Sequence, residues 1–354
     1  MVPRVVVHIG AAKTATTAIQ YALYENSDVL REFGVYLPRA GRFEFGSNKV
    51  VHHHLAWEYV DPQRFRPEIG GWDALAQELR QVDAGTVLIS SESLERLTYS
   101  GDRRRELEER LTQLSDDITI VYVVRDQLSQ LNSLYTQNVK SFRTTERFKP
   151  AVRKALSSGN LNFDRIFRPW YRSKMLTFVA VPFESLTAAD PLLGLLGAAK
   201  IDVPADRLTT TRTGANESLG PVGVEAAKLL GGYLRGIDPE FTHKSGAAQK
   251  IYRLAAGRAR ENGWCADKFW GWDPQLAQHV ADRFLEANRR FARAVWGRGQ
   301  SVSMPVDRPQ MTASLIDLPP EEIDVVQSYV SSMGRRYLEL RTGRSYPSAR
   351  AELQ

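Results

Sequence analysis

The chain has 354 residues, 43% of them apolar and 25% charged, which suits a folded protein and excludes an intrinsically disordered one. Its single cysteine, Cys265, excludes an intrachain disulfide and a cysteine-rich zinc site, and no stretch approaches the roughly 18 apolar residues of a membrane span. The net charge is +6, and 36 of the 47 basic residues are Arg, which grips phosphate in a bidentate fork, so the balance favours anionic ligands.

The length sets an expectation of one large or two modest domains. The first apolar run, Val5 to Ile9, is too short for the core of a signal peptide, and a lone cysteine suits a reducing compartment, so a cytoplasmic protein is expected. In chain order, four segments read as buried parallel strands: Arg4–Ile9, Thr86–Ser90, Thr119–Val124 and Leu176–Val181. Helical spacing appears between them. Ala15, Ala18, Ile19, Ala22 and Leu23 share one face after the first strand, and Leu128, Leu131, Leu134, Tyr135 and Val139 do so after the third. Alternating strands and helices predict a three-layer α/β/α fold with a central parallel sheet and ligands at the carboxyl ends of its strands. The second half reads as mainly helical, with candidate helices Gly220–Gly236, Ala247–Glu261, Asp273–Val295 and Pro320–Arg341. Gly297–Pro309 reads as a linker, and Thr342–Gln354 as a tail.

The first strand runs into Gly10-Ala11-Ala12-Lys13-Thr14-Ala15-Thr16-Thr17 and then a helix. Small side chains let backbone approach an anion, and the N–H groups and dipole of the helix start attract it. Lys13 adds a full charge, and the Thr16 and Thr17 hydroxyls can donate to phosphate oxygens. A Walker A loop would need a glycine before Lys13, and Ala12 stands there. The third strand ends at Arg125, on the same rim. Asp126 follows as a good helix-start residue, and Ser133 lies about two turns into the next helix. Arg125 and Ser133 can thus converge on a second anion.

HIGAAKTATTAIQ resembles the 5′-phosphosulfate loop of sulfotransferases that use 3′-phosphoadenosine 5′-phosphosulfate (PAPS), and Arg125-Asp126 followed by Ser133 resembles their 3′-phosphate motif. The resemblance, to a bacterial-type member, spans residues 4–300, with specific motifs only at these two places. It implies a P-loop-like nucleotide fold. Ala12, Lys13, Thr14, Ala15, Thr16 and Thr17 would hold the 5′ end of PAPS, and Arg125 and Ser133 the 3′-phosphate. Arg212, in Arg212-Thr-Gly-Ala-Asn216-Glu-Ser218, would close over the nucleotide. A sulfotransferase domain over residues 1–300 follows, with a PAPS-binding core over 1–235, a helical substrate region over 236–300 and a C-terminal extension over 301–354. Two departures stand out. Ala15 replaces the family's glycine, which costs about 1 kcal/mol if the position needs φ > 0 and is an improvement if it is already helical; the helical case is expected. Gln127 replaces a proline that suits a helix start.

Sulfuryl transfer needs a base near the acceptor hydroxyl and positive charge at the leaving phosphate. Lys13 supplies the charge. Glu92 directly follows the second predicted strand, where the resembled family often carries its base. His52-His53-His54 offers a second candidate, although three neighbouring side chains cannot all face one site. His52 and His53 are therefore carried with Glu92 as catalytic candidates, while His8, inside a strand, reads as core. With no evident magnesium-binding carboxylates, no metal is expected. The acceptor is expected to be a hydroxyl, or an amine, of a small molecule, glycan or lipid. Trp57, Trp72, Tyr99, Trp264, Trp270 and Trp272 could contact it or could be core. Two other readings compete: a P-loop-type kinase or NTPase, and a non-catalytic polyanion binder. Basic charge without an aromatic-interleaved motif argues against nucleic acid.

Overall fold

Short β-branched apolar runs form the strands of the sheet. In the computed structural model, which describes residues 2–43, 47–157, 160–188, 190–210 and 218–344, they build a five-stranded sheet. Its strands are β1 (Arg4–His8), β2 (Val35–Tyr36), β3 (Thr86–Ser90), β4 (Ile118–Val124) and β5 (Thr177–Pro182). The order is β2-β3-β1-β4-β5, and every pairing is parallel. Four strands match the expected segments to within a residue at either end. The two-residue edge strand β2 was not foreseen, because two residues carry no periodicity.

Alternation divides each strand between two cores. Val5, Val7, Val87, Ile89, Ile120 and Tyr122 face one, with Trp72, Leu107, Phe167 and Phe291 packed on them. Val6, Leu88, Val121 and Val123 face the other, against Ile19, Leu23, Leu192 and Leu195. The helices supplying these side chains include α1 (Thr16–Glu25), α3 (Trp72–Leu79), α4 (Gly101–Thr112), α6 (Phe163–Tyr171) and α7 (Pro191–Ala198). Helix α2 (His53–Val60) adds Leu55 and Ala56 to the first core. The result is helix, sheet and helix in three layers. Asn162 caps α6 by accepting from the Arg165 N–H at 2.9 Å, and Asp190 caps α7 by accepting from the Leu192 N–H at 2.8 Å.

The chain divides into two compact units. The first comprises Met1–Gln127, Gly159–Ala215 and Asp282–Met304, and holds the sheet. The second comprises Leu128–Ser158, Asn216–Ala281 and Pro305–Gln354. It is helical, with α8 (Pro221–Ile237), α9 (Gly246–Glu261) and α11 (Pro320–Thr342) within it. Two further helices are α5 (Gln127–Lys140) and α10 (Pro274–Val295). All four expected C-terminal helices are present, with ends shifted by at most one residue. Gly334 on α11 lets Tyr233 of α8 approach so closely that a Cβ there would lie 2.2 Å from its ring. No helix among the described residues is long and apolar enough to cross a membrane.

Candidate functional site

The carboxyl ends of three neighbouring strands converge on one place in the first unit. β1 leads into the loop before α1, β3 into Glu92, and β4 into Arg125. The loop backbone is held in left-handed conformations at Gly10 (φ 106°), Lys13 (φ 68°) and Ala15 (φ 60°). Two of these residues carry a Cβ, and such positions persist only where surrounding contacts over-determine them. Those contacts are visible. The Val123 N–H donates to the Gly10 carbonyl at 2.8 Å. The Thr14 hydroxyl donates to the Ala11 carbonyl at 2.5 Å. Arg125 Nη1 donates to the Lys13 carbonyl at 2.7 Å, with its guanidinium 4.8 Å from the Phe183 ring centre. The two segments expected to bind anions, over a hundred residues apart in sequence, are therefore hydrogen-bonded to each other.

Ala15 corrects an expectation. It is not already helical but is the left-handed cap residue of α1, at ψ 13°. A left-handed alanine costs about 1 kcal/mol more than glycine. Ala15 also makes no side-chain cap, unlike Asn162 and Asp190 at their helices, so it does not occupy the N–H groups at the start of α1. Thr14 and Thr16 are buried, Thr17 is exposed, and Ala12 and Lys13 are half-buried.

Glu92 opens a 3₁₀ segment, Glu92–Tyr99. Gly10 touches it: a Cβ on Gly10 would sit 3.2 Å from both Cα and Cβ of Glu92. Glu92 Oε2 accepts from Gln20 Nε2 of α1 at 2.8 Å, and Oε1 lies 3.6 Å from His53 Nε2. His53 Nδ1 is 2.9 Å from the Ser91 hydroxyl, and its ring stacks on Trp57 at 5.2 Å. A proton on Nε2 would face the carboxylate, leaving Nδ1 to accept from Ser91; the reverse tautomer would set a lone pair against the carboxylate. Burial holds the His53 pKa below its usual value, with Arg64 pushing the same way and Glu92 opposing.

The three histidines diverge as their succession requires. His52 is buried, with Nδ1 accepting the Ser90 N–H at 3.1 Å and Nε2 donating to the Pro38 carbonyl at 3.0 Å. Both nitrogens are engaged, so His52 ties the end of β3 to the chain before α2. His54 Nδ1 accepts the Arg66 N–H at 3.2 Å, and its ring packs between Phe43 and Trp57. His8 is buried, with Nδ1 2.9 Å from the Ser90 hydroxyl. Only His53 of this run meets Glu92.

Ser133 lies half-buried on α5, in the second unit. Arg212 lies outside the described residues. Gln127 takes up a partner of its own: its side-chain amide pairs twice with that of Asn288, at 2.8 and 3.0 Å, and donates to the Leu161 carbonyl at 3.0 Å. Trp57, Trp72, Trp264, Trp270 and Trp272 are buried, while Tyr99 is 39% exposed. Among the described residues no group of three or more His, Cys, Asp or Glu side chains is placed to hold a metal ion.

Sequence reasoning missed two residues. Gln20, to which the sequence assigned no role, reaches Glu92. Glu95 is buried beneath the loop, and its signal was a carboxylate three residues after Glu92, a spacing that puts both on one face of a 3₁₀ helix. Comparison of the chain with protein-family models, with curated proteins and with solved structures finds no match.

Proposed function

We propose that this chain is a cytoplasmic, P-loop-like sulfotransferase that moves the sulfuryl group of PAPS to a hydroxyl of a small-molecule, glycan or lipid acceptor. The observation that supports the reading is the 2.7 Å hydrogen bond from Arg125 to the Lys13 carbonyl, which joins the first expected anion motif to the arginine of the second. Lys13 and the N–H groups at the start of α1 would take the 5′-phosphosulfate, and Arg125 the 3′-phosphate. Glu92, braced by Gln20 and His53, would be the base.

In the proposed step the acceptor oxygen forms a bond to sulfur as the bond from sulfur to the bridging phosphate oxygen breaks. The acceptor proton passes to Glu92. The bridging oxygen leaves with the electron pair, and Lys13 stabilises that charge. The products are a sulfate ester and adenosine 3′,5′-bisphosphate. Positioning and fixed charge supply the catalysis, as in other loose in-line transfers between anions.

Calorimetry with PAPS and ATP tests the reading. PAPS is expected to bind and ATP to bind at least tenfold more weakly, because only PAPS presents a 3′-phosphate to Arg125. Equal affinities, or no PAPS binding, would overturn it. Lys13→Ala and Arg125→Ala should each weaken PAPS roughly 10- to 150-fold, the equivalent of a charged hydrogen bond of about 1.5–3 kcal/mol.

A further inference from the structure

A carboxyl group lies directly beneath a loop built to attract anions. Glu95 is 8% exposed. Its Oε1 accepts from the Tyr122 hydroxyl of β4 at 3.0 Å, and it is also hydrogen-bonded by the Tyr99 hydroxyl and by the backbone N–H of Ala12. Thr98, next to Tyr99, turns its hydroxyl back onto the Glu95 carbonyl at 2.6 Å, which fixes the segment locally. Glu95 therefore joins three pieces: the phosphate loop, strand β4 that leads into Arg125, and the segment that begins at Glu92.

The titratable groups that face Glu95 are Glu92 and Tyr99 on its own segment and Tyr122 on β4. Burial raises its pKa, and the Glu92 charge adds to the rise, while the three hydrogen bonds oppose it.

We propose that Glu95 is the positioning residue of the phosphate loop, holding Ala12 through its carboxyl oxygen. The left-handed residues at Lys13 and Ala15 need anchoring, and Glu95 supplies it from below while Arg125 supplies it from the side. The Ala12 N–H then faces inward to Glu95. The loop's ligand contacts fall to Lys13 and the residues after it, which narrows the anion cradle to residues 13–17. That last consequence rests on the proposed PAPS site; the anchoring itself does not.

The test compares wild type, Glu95→Gln, Glu95→Ala and Tyr122→Phe in the full chain. Amide hydrogen exchange over residues 10–17 reads the loop without ligand, and calorimetry with adenosine 3′,5′-bisphosphate reads the site. Glu95→Gln keeps a carbonyl oxygen for Ala12 and offers an amide to a tyrosine oxygen. It should leave loop exchange and nucleotide affinity within about threefold of wild type. Glu95→Ala should speed loop exchange and weaken the nucleotide by about tenfold or more, the loss of one buried hydrogen bond. Should Glu95→Ala fail to fold, Tyr122→Phe still decides, since releasing one Glu95 partner should speed loop exchange several-fold. Unchanged loop exchange in Glu95→Ala or Tyr122→Phe overturns the proposal, as does a Glu95→Gln protein whose loop is as loose as that of Glu95→Ala. If wild type binds no bisphosphate, the PAPS reading fails while the exchange comparison still decides the role of Glu95.

Discussion

Two buried histidines flank Ser90 beneath the candidate site, and they make the protein's stability depend on pH in a calculable way. Burial pushes the His8 pKa down to about 4, against an upward pull from Glu92. Burial and the Arg42 charge push that of His52 down to about 3, against the pull of its backbone hydrogen bonds. In the unfolded chain both titrate near 6.5. Between these values the unfolded state binds more protons, so stability rises with pH. The contribution is complete above pH 6.5 and is lost as pH falls toward the folded values. At pH 5 each group has lost about 1.5 pK units, or about 2 kcal/mol, so the pair lowers stability by about 4 kcal/mol. Urea unfolding at several pH values between 7 and 5 measures the slope. His8→Asn and His52→Gln should each remove about 1.2 kcal/mol per pH unit from that slope near pH 5.5, whatever they do to absolute stability. Slopes equal to wild type in both variants would refute the claim that these rings are neutral in the folded protein. The same reasoning bears on function: any rate inflection between pH 5 and 8 must come from groups other than His8 and His52, which keep their charge state throughout.

Ala15→Gly should raise stability by about 1 kcal/mol, because only the left-handed strain is removed; thermal or urea unfolding checks it, and a loss of stability contradicts the strain assignment. Gly10→Ala should lower stability by about 1–3 kcal/mol, since φ is 106° and the new Cβ meets the Glu92 backbone at 3.2 Å; a neutral result by the same measurement contradicts it. Glu92→Gln should slow release of adenosine bisphosphate from PAPS, with water as acceptor, by roughly 100- to 10,000-fold while PAPS affinity stays within a few-fold. Loss of affinity in parallel with rate would instead make Glu92 a binding or folding group.

The candidate site was partly legible because its parts lie at strand ends. A short β-branched run announces a buried strand, and the residue after it must emerge on one rim of a parallel sheet. That logic locates the loop at Gly10, Glu92 after β3 and Arg125 after β4 without coordinates. It could not choose among His52, His53 and His54, because neighbouring side chains diverge and only packing decides which faces inward. It misjudged Ala15, because a residue's φ beside a helix start depends on how the preceding loop is held. Glu95 and Gln20 escaped for the same reason: their partners, Ala12, Tyr122 and Glu92, lie on other elements.

Local chemistry alone therefore determined the periodic elements, the strand-loop-helix at the N-terminus and the candidate cations at the strand tips, since each depends on residues within a few positions of one another. Tertiary structure alone decided that Arg125 grips the Lys13 carbonyl, that His53 is the ring beside Glu92, and that residues 128–158, 216–281 and 305–354 form one compact unit. Those outcomes depend on contacts between residues tens to hundreds of positions apart. Such contacts form only once the hydrophobic faces of the sheet and helices have closed on one another, and no window along the chain contains both partners.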